Sequence, residues 1–175
     1  MRISGEAVSK KCWIVLAFAV LGAFFTPALL LSEVQCPWLN AATAAGVLGG
    51  DVQASALPLT LQGDTTCDFK RIEHSTVFSL TITVHTMSLP SKDFSTYLAQ
   101  CTGTAVRLKG VGNEAIQCVS SSKPSNGEEQ IIGRVRERAF IIDLKRGSTK
   151  QSTANQIGLS DEARNIAEQV AGALF

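Results

Sequence analysis

Gln130-Ile131-Ile132-Gly133-Arg134-Val135-Arg136-Glu137-Arg138-Ala139-Phe140-Ile141-Ile142-Asp143-Leu144-Lys145 decides the fold. In the first half Ile131, Gly133 and Val135 alternate with Ile132, Arg134 and Arg136. In the second half Phe140, Ile142 and Leu144 alternate with Ile141 and Asp143. A period of two marks a strand with distinct faces, and the polar tip Arg136-Glu137-Arg138 joins the two runs as an antiparallel hairpin.

The same pattern recurs upstream. Thr76 to His85 places Phe78, Leu80, Ile82 and Val84 on one face and Ser79, Thr81, Thr83 and His85 on the other. Cys67 to Ile72 is its partner strand, and Glu73-His74-Ser75 is the loop between them. Ala115 to Val119 is a short strand carrying Cys118. Gly110-Val111-Gly112 before it breaks the chain with positive-φ backbone and lacks the Lys-Ser/Thr of a phosphate loop. Ser120 to Gly127 is a polar loop. Asp51 to Gly63, with Pro58, reads as an irregular or weakly extended connection.

Three helices are predicted. Asn40 to Leu48 is Ala-rich, with Asn40 as cap and Gly49-Gly50 as stop. Pro90-Ser91 opens a second over Lys92 to Gln100, and the spacing of Phe94, Tyr97, Leu98 and Cys101 turns Cys101 to the core. Gly147 to Gly158 is a polar link. Ser160-Asp161-Glu162 caps a closing helix whose stripe is Ala163, Ile166, Ala167, Val170, Ala171 and Leu174. Hairpins dominate, so the class is α+β with a mainly antiparallel sheet.

The chain has 175 residues, 45% of them apolar and 18% charged, with 16 basic against 15 acidic side chains. The charge balance excludes a nucleic-acid-coating protein and the apolar content a disordered tail. Arg2, Lys10 and Lys11 precede an uncharged run from Trp13 to Leu31, just long enough to cross a bilayer. Residues 1–35 are therefore a signal peptide or an N-terminal membrane anchor, and residues 36–175 an extracytoplasmic domain. Thr26-Pro27-Ala28 suits signal peptidase, although Leu29-Leu30-Leu31 is an awkward mature start. Glu33-Val34-Gln35-Cys36 is no lipobox. A buried core helix is the remaining reading of this run, and the flanking charges favour export.

Cys12 belongs to the leader. Cys36, Cys67, Cys101 and Cys118 remain, an even number in an exported chain, which favours two disulfides over metal ligation. Three pairings are open, and the sequential one, Cys36–Cys67 with Cys101–Cys118, is favoured. No Cys-x-x-Cys pair exists, and His74 and His85 are the only imidazoles, so neither a zinc site nor any cofactor is expected.

Cys36-Pro37-Trp38-Leu39, the run Val47-Leu48-Gly49-Gly50-Asp51-Val52, Cys67-Asp68-Phe69 and Gly110-Val111-Gly112-Asn113-Glu114-Ala115 carry a resemblance. Over roughly residues 36–145 the chain resembles small exported domains of unknown function found in bacterial lipoproteins. More distantly it resembles the extracellular sensor domains of bacterial receptor kinases. The resemblance implies helices packed on one face of a curved antiparallel sheet, and non-catalytic binding outside the cytoplasm. It transfers no ligand and no catalytic residues. The missing lipobox departs from the lipoprotein pattern, and no kinase segment is present.

Few residues suggest chemistry. Arg134, Arg136 and Arg138 are possible anion-binding residues, with Lys145 and Arg146 nearby; a solvated outer face beside Glu137 and Asp143 is the plainer reading. Glu114, Glu128 and Glu129 make at best a formal acid/base set. No Gly-x-Ser-x-Gly elbow occurs. The expected function is thus a non-catalytic binding or interaction module of the bacterial envelope, periplasmic or at the cell surface. Its partner would be an envelope protein or a small ligand, not nucleic acid, and it would meet the membrane only through an uncleaved leader. The alternatives are an envelope hydrolase using His74 or His85, which needs a histidine, an acid and a nucleophile in one cleft, and a purely structural envelope protein. For a binding module the best cleft is expected between helix and sheet, lined by apolar groups.

Overall fold

The computed structural model describes residues 35–58, 64–119, 127–147 and 153–175. The leader with its cleavage and anchoring alternatives, and residues 120–126 of the polar loop, lie outside the described residues. Helix α1 (Ala41–Leu48) is followed by β1 (Gln53–Pro58), β2 (Thr65–Glu73), β3 (Thr76–Thr86), α2 (Pro90–Leu98), β4 (Thr104–Leu108), β5 (Glu114–Val119), β6 (Glu128–Val135), β7 (Arg138–Lys145) and α3 (Thr153–Leu174). The seven strands form one antiparallel sheet in the order β1-β2-β3-β7-β6-β5-β4. Two meanders thus meet at β3 and β7, and β1 and β4 are the outermost strands. The α+β class and the antiparallel sheet are as expected.

The pleat sorts side chains between two apolar layers. Leu80, Ile82 and Val84 of β3, Phe140, Ile142 and Leu144 of β7, and Ile131 and Val135 of β6 pack with α1 and α3 in the main core. The intervening residues Ile132, Ala139 and Ile141 pack instead with Phe94 of α2, beside Met87 and Cys118. The expectation that all helices lie on one face is corrected: α1 and α3 cover one face, and α2 covers part of the other. Consecutive apolar residues, Ile131-Ile132 and Ile141-Ile142, are what a strand buried on both sides requires.

Local chemistry explains the element ends. The Asn40 side chain accepts from Thr43 N at 2.8 Å, and Gly49 ends α1 at φ 78°. Two arginines satisfy carbonyls that the α1 terminus leaves free: Arg71 donates to Leu48 O at 2.9 Å and Arg146 to Val47 O at 3.0 Å. Arg146 also pairs with Glu162 of α3. Gly112, at φ 58°, passes so close to β6 that an added Cβ would stand 2.5 Å from the Arg134 carbonyl oxygen.

Three further expectations change. The connection Asp51 to Gly63 contains strand β1, which turns Ala54 and Ala56 to the main core. Thr104–Leu108, read as no element, is strand β4. Helix α3 begins at Thr153 inside the supposed polar link, so Ser160 is helical and not a cap. Its hydroxyl meets the amide of buried Gln117 instead.

Candidate functional site

The disulfides join Cys36 to Cys67 and Cys101 to Cys118, with Cα separations of 5.6 and 5.5 Å, both within the ordinary range. This is the sequential pairing. Cys67 is fully buried on β2, so the first bond fastens the entry to α1 onto the sheet. The second bond joins the segment after α2 to β5.

Cys118 belongs to a row of side chains crossing the sheet on the face that bears α2. The row runs Ser55, Asp68, Thr81, Asp143, Gln130, Cys118 from β1 to β5. Helix α2 covers the apolar neighbours Ala139 and Ile141. Beyond its C-terminus the floor becomes polar. Thr81 donates to Asp68 Oδ1 at 2.7 Å, and Gln130 Nε2 donates to Asp143 Oδ1 at 2.9 Å.

A pocket of about 280 Å³ lies over this floor, lined by Gln100, Thr102, Cys118, Gln130, Asp143 and Lys145 with Glu128 and Glu129 at β6. Its wall, Gln100 to Gly103, flanks Cys101, so the second disulfide ties wall to floor. This cleft lies between helix end and sheet with a polar lining, whereas a smaller one of about 120 Å³ between the start of α1 and the sheet has the expected apolar lining of Leu39, Ala54 and Phe69. At the rim Lys145 Nζ pairs with Glu128 Oε1 at 3.2 Å. Glu129 accepts from Gln117 Nε2 at 2.9 Å.

Burial pushes the Asp143 carboxyl above the ordinary carboxylate range; Glu128 adds to the rise, while the Gln130 hydrogen bond and the Lys145 charge oppose it. The folded state therefore holds a proton that the unfolded chain releases. Stability from this group is fully present below the unfolded value, near 3.8, and is lost as pH rises through the raised folded value. Asp143→Asn removes that component. Subtracting the variant's unfolding free energy from the wild type's, measured by urea titration at a series of pH values, is expected to give a difference that falls from about pH 4 upward and then levels. A pH-independent difference contradicts the assignment.

The remaining candidate residues are dispersed. Arg134 faces the α2 side, with Nε 3.4 Å from Glu114 Oε2 and its guanidinium over Phe94. Arg136 is in the β6–β7 turn at φ 53°, over Phe175. Arg138 faces the opposite side, over Trp38. The structure does not bring the three together, which corrects their reading as one anion-binding cluster. Glu114 pairs with Arg134, and Glu128 and Glu129 stand near the opposite end of the β5–β6 ladder, so no acid pair forms among them. His74 is an exposed turn residue at φ 57°. His85 sits near the other end of the eleven-residue β3. Its Nδ1 is 3.1 Å from Asp64 Oδ2, and its ring stacks on Tyr97 at 5.0 Å. Burial, with Asp64 and Asp93, pushes the Tyr97 phenol up.

The pocket residues Gln100, Thr102, Gln130 and Lys145 carry no motif in the sequence, and Asp143 reads there only as a neutraliser of arginines. The available signal is Asp143 itself, a carboxylate between Ile142 and Leu144 in a buried strand. Among the described residues no group of three or more His, Cys, Asp or Glu side chains is placed to hold a metal ion. None of the described helices is long and apolar enough to cross a membrane.

No protein-family model matches this chain, and no curated protein or solved structure does either.

Proposed function

We propose that this chain is a non-catalytic, extracytoplasmic binding module of the bacterial cell envelope, and that the polar pocket beyond the end of α2 is its ligand site. The observation that carries the reading is the Cys101–Cys118 bond, which holds the pocket wall against its floor. Two bonded cysteine pairs are compatible with an oxidising space outside the cytoplasm. There the wall is fixed before any ligand arrives, and less ordering accompanies binding. The basic and apolar leader supports export, and the resemblance to exported lipoprotein domains supports binding in place of catalysis.

The hydrolase alternative has less support. His74 and His85 stand at opposite ends of β3, and Cys36, Cys67, Cys101 and Cys118 are taken up in disulfides, which leaves none of them as a nucleophile.

Alkylation of the native full-length protein in envelope fractions, followed by intact mass, tests the reading. Cys36, Cys67, Cys101 and Cys118 are expected to resist iodoacetamide until a reductant is added. Free thiols at these positions in native material refute both the location and the preformed site.

A further inference from the structure

We infer that the pocket takes a small ligand bearing a protonated amine, with Asp143 as the acceptor for the ammonium. The inference rests on the preceding reading of this pocket as the ligand site, and it adds the chemical class of the ligand.

The lining is unbalanced in charge. Among the described lining residues, the charged side chains on the pocket's face of the sheet are Glu128 and Asp143 against Lys145, while the Glu129 side chain turns to the α3 face. Lys145 is engaged by Glu128. That leaves Asp143, whose Oδ1 is engaged by Gln130, as the remaining charge among the described lining residues. The wall brings Gln100, Thr102 and Gly103, none of them charged. From the neighbouring strands the floor continues as Thr81 and Ser79, which lie opposite Asp143 and Lys145, and Asp68 lies one strand further. No second cation therefore comes to Asp143 from β3, β6, β7 or the segment after α2.

A carboxylate that has lost part of its water, and that one amide only partly compensates, gains most from an arriving cation. The raised Asp143 titration is the signature of that lost solvation. Among the described residues the lining contains no aromatic ring and no large aliphatic side chain, so these residues offer neither stacking nor apolar burial. Gln100, Gln130 and Thr102 offer donors and acceptors to a neutral polar body. The volume of about 280 Å³ is near the lower end of small-molecule sites and matches a compact amine of amino-sugar size.

Glucosamine and glucose test this, because they share a ring and differ at the amine. The full chain with its disulfides intact is titrated with each, reading affinity by calorimetry and location by backbone amide shifts. Glucosamine is expected to bind at least about tenfold more tightly than glucose, with shifts centred on Gln100, Gln130 and Asp143. The preference should weaken as pH falls from 7 towards 4 and Asp143 takes up its proton. Asp143→Asn, which keeps an acceptor for Gln130, should abolish the preference, while Asp68→Asn, on the same row outside the pocket, should retain it. Should Asp143→Asn fold poorly, the pH series on the wild type decides the same point. Equal binding of both sugars in the pocket overturns the amine inference and leaves the pocket as a site. Saturable binding that shifts residues elsewhere overturns both, and absence of saturable glucosamine binding overturns the inference.

Discussion

Phe140→Ala is expected to lower the unfolding free energy by about 3–5 kcal/mol. Phe140 is fully buried in the centre of β7 and belongs to the main core. Its cross-strand neighbour on β6 is Gly133, and the ring lies across that glycine. A Cβ added at Gly133 would stand 2.3 Å from Phe140 Cζ. One ring thus fills the space of two side chains, and truncation leaves a void beside a residue that has no side chain of its own. Thermal unfolding should shift down by roughly 10–15 °C at this domain size. The mirror change, Gly133→Ala, overpacks the same space and should cost about 1–3 kcal/mol alone. Combined with Phe140→Leu it should cost less than the sum, because each change relieves the other. A loss below about 1.5 kcal/mol for Phe140→Ala would contradict the ring-on-glycine packing.

Removing the first disulfide, by Cys36→Ala together with Cys67→Ala, is expected to cost roughly 4 kcal/mol. The bond spans 31 positions in sequence, so its loss frees a large set of unfolded conformations. The bond across Cys101 and Cys118 spans 17 positions and should be worth roughly 3 kcal/mol. The two should also differ in what they disturb. Without the first bond, α1 retains its arginine contacts but loses its covalent hold on β2. Without the second, the pocket wall is released while the main core stays intact. Denaturant titration of the oxidised variants reads the first difference, and hydrogen exchange at Gln100 to Gly103 reads the second. A cost below about 1 kcal/mol for the Cys36/Cys67 pair contradicts the entropic account.

Which parts of the molecule are legible in the sequence follows from contrast. Strands β3, β6 and β7 alternate strongly because one face of each carries large aliphatic side chains. Strand β1 is hidden because the residues it turns to the core, Ala54 and Ala56, are small and it ends at Pro58. Strand β4 is hidden because four of its five residues are exposed, so periodicity has nothing to record. The start of α3 is misread because Ser160-Asp161-Glu162 has the chemistry of a cap, while the polar residues before it continue the helix. The position of α2 was expected on the wrong face, although Ile131-Ile132 and Ile141-Ile142 already carry apolar side chains on both faces. The pocket is illegible for a different reason. Its members come from four segments that only strand order and the second disulfide bring together, and none of them forms a motif alone.

The lateral margins of the sheet have a consequence for behaviour in concentrated solution. An unpaired edge is a template on which further copies can add, ending in insoluble assemblies. Here β1 closes at Pro58, which has no amide hydrogen to offer. On the other margin Arg107 stands in the exposed run of β4 with its side chain 77% exposed. Each margin thus carries its own stopper. Replacing either residue is expected to show first as turbidity at high concentration while the folded body stays intact.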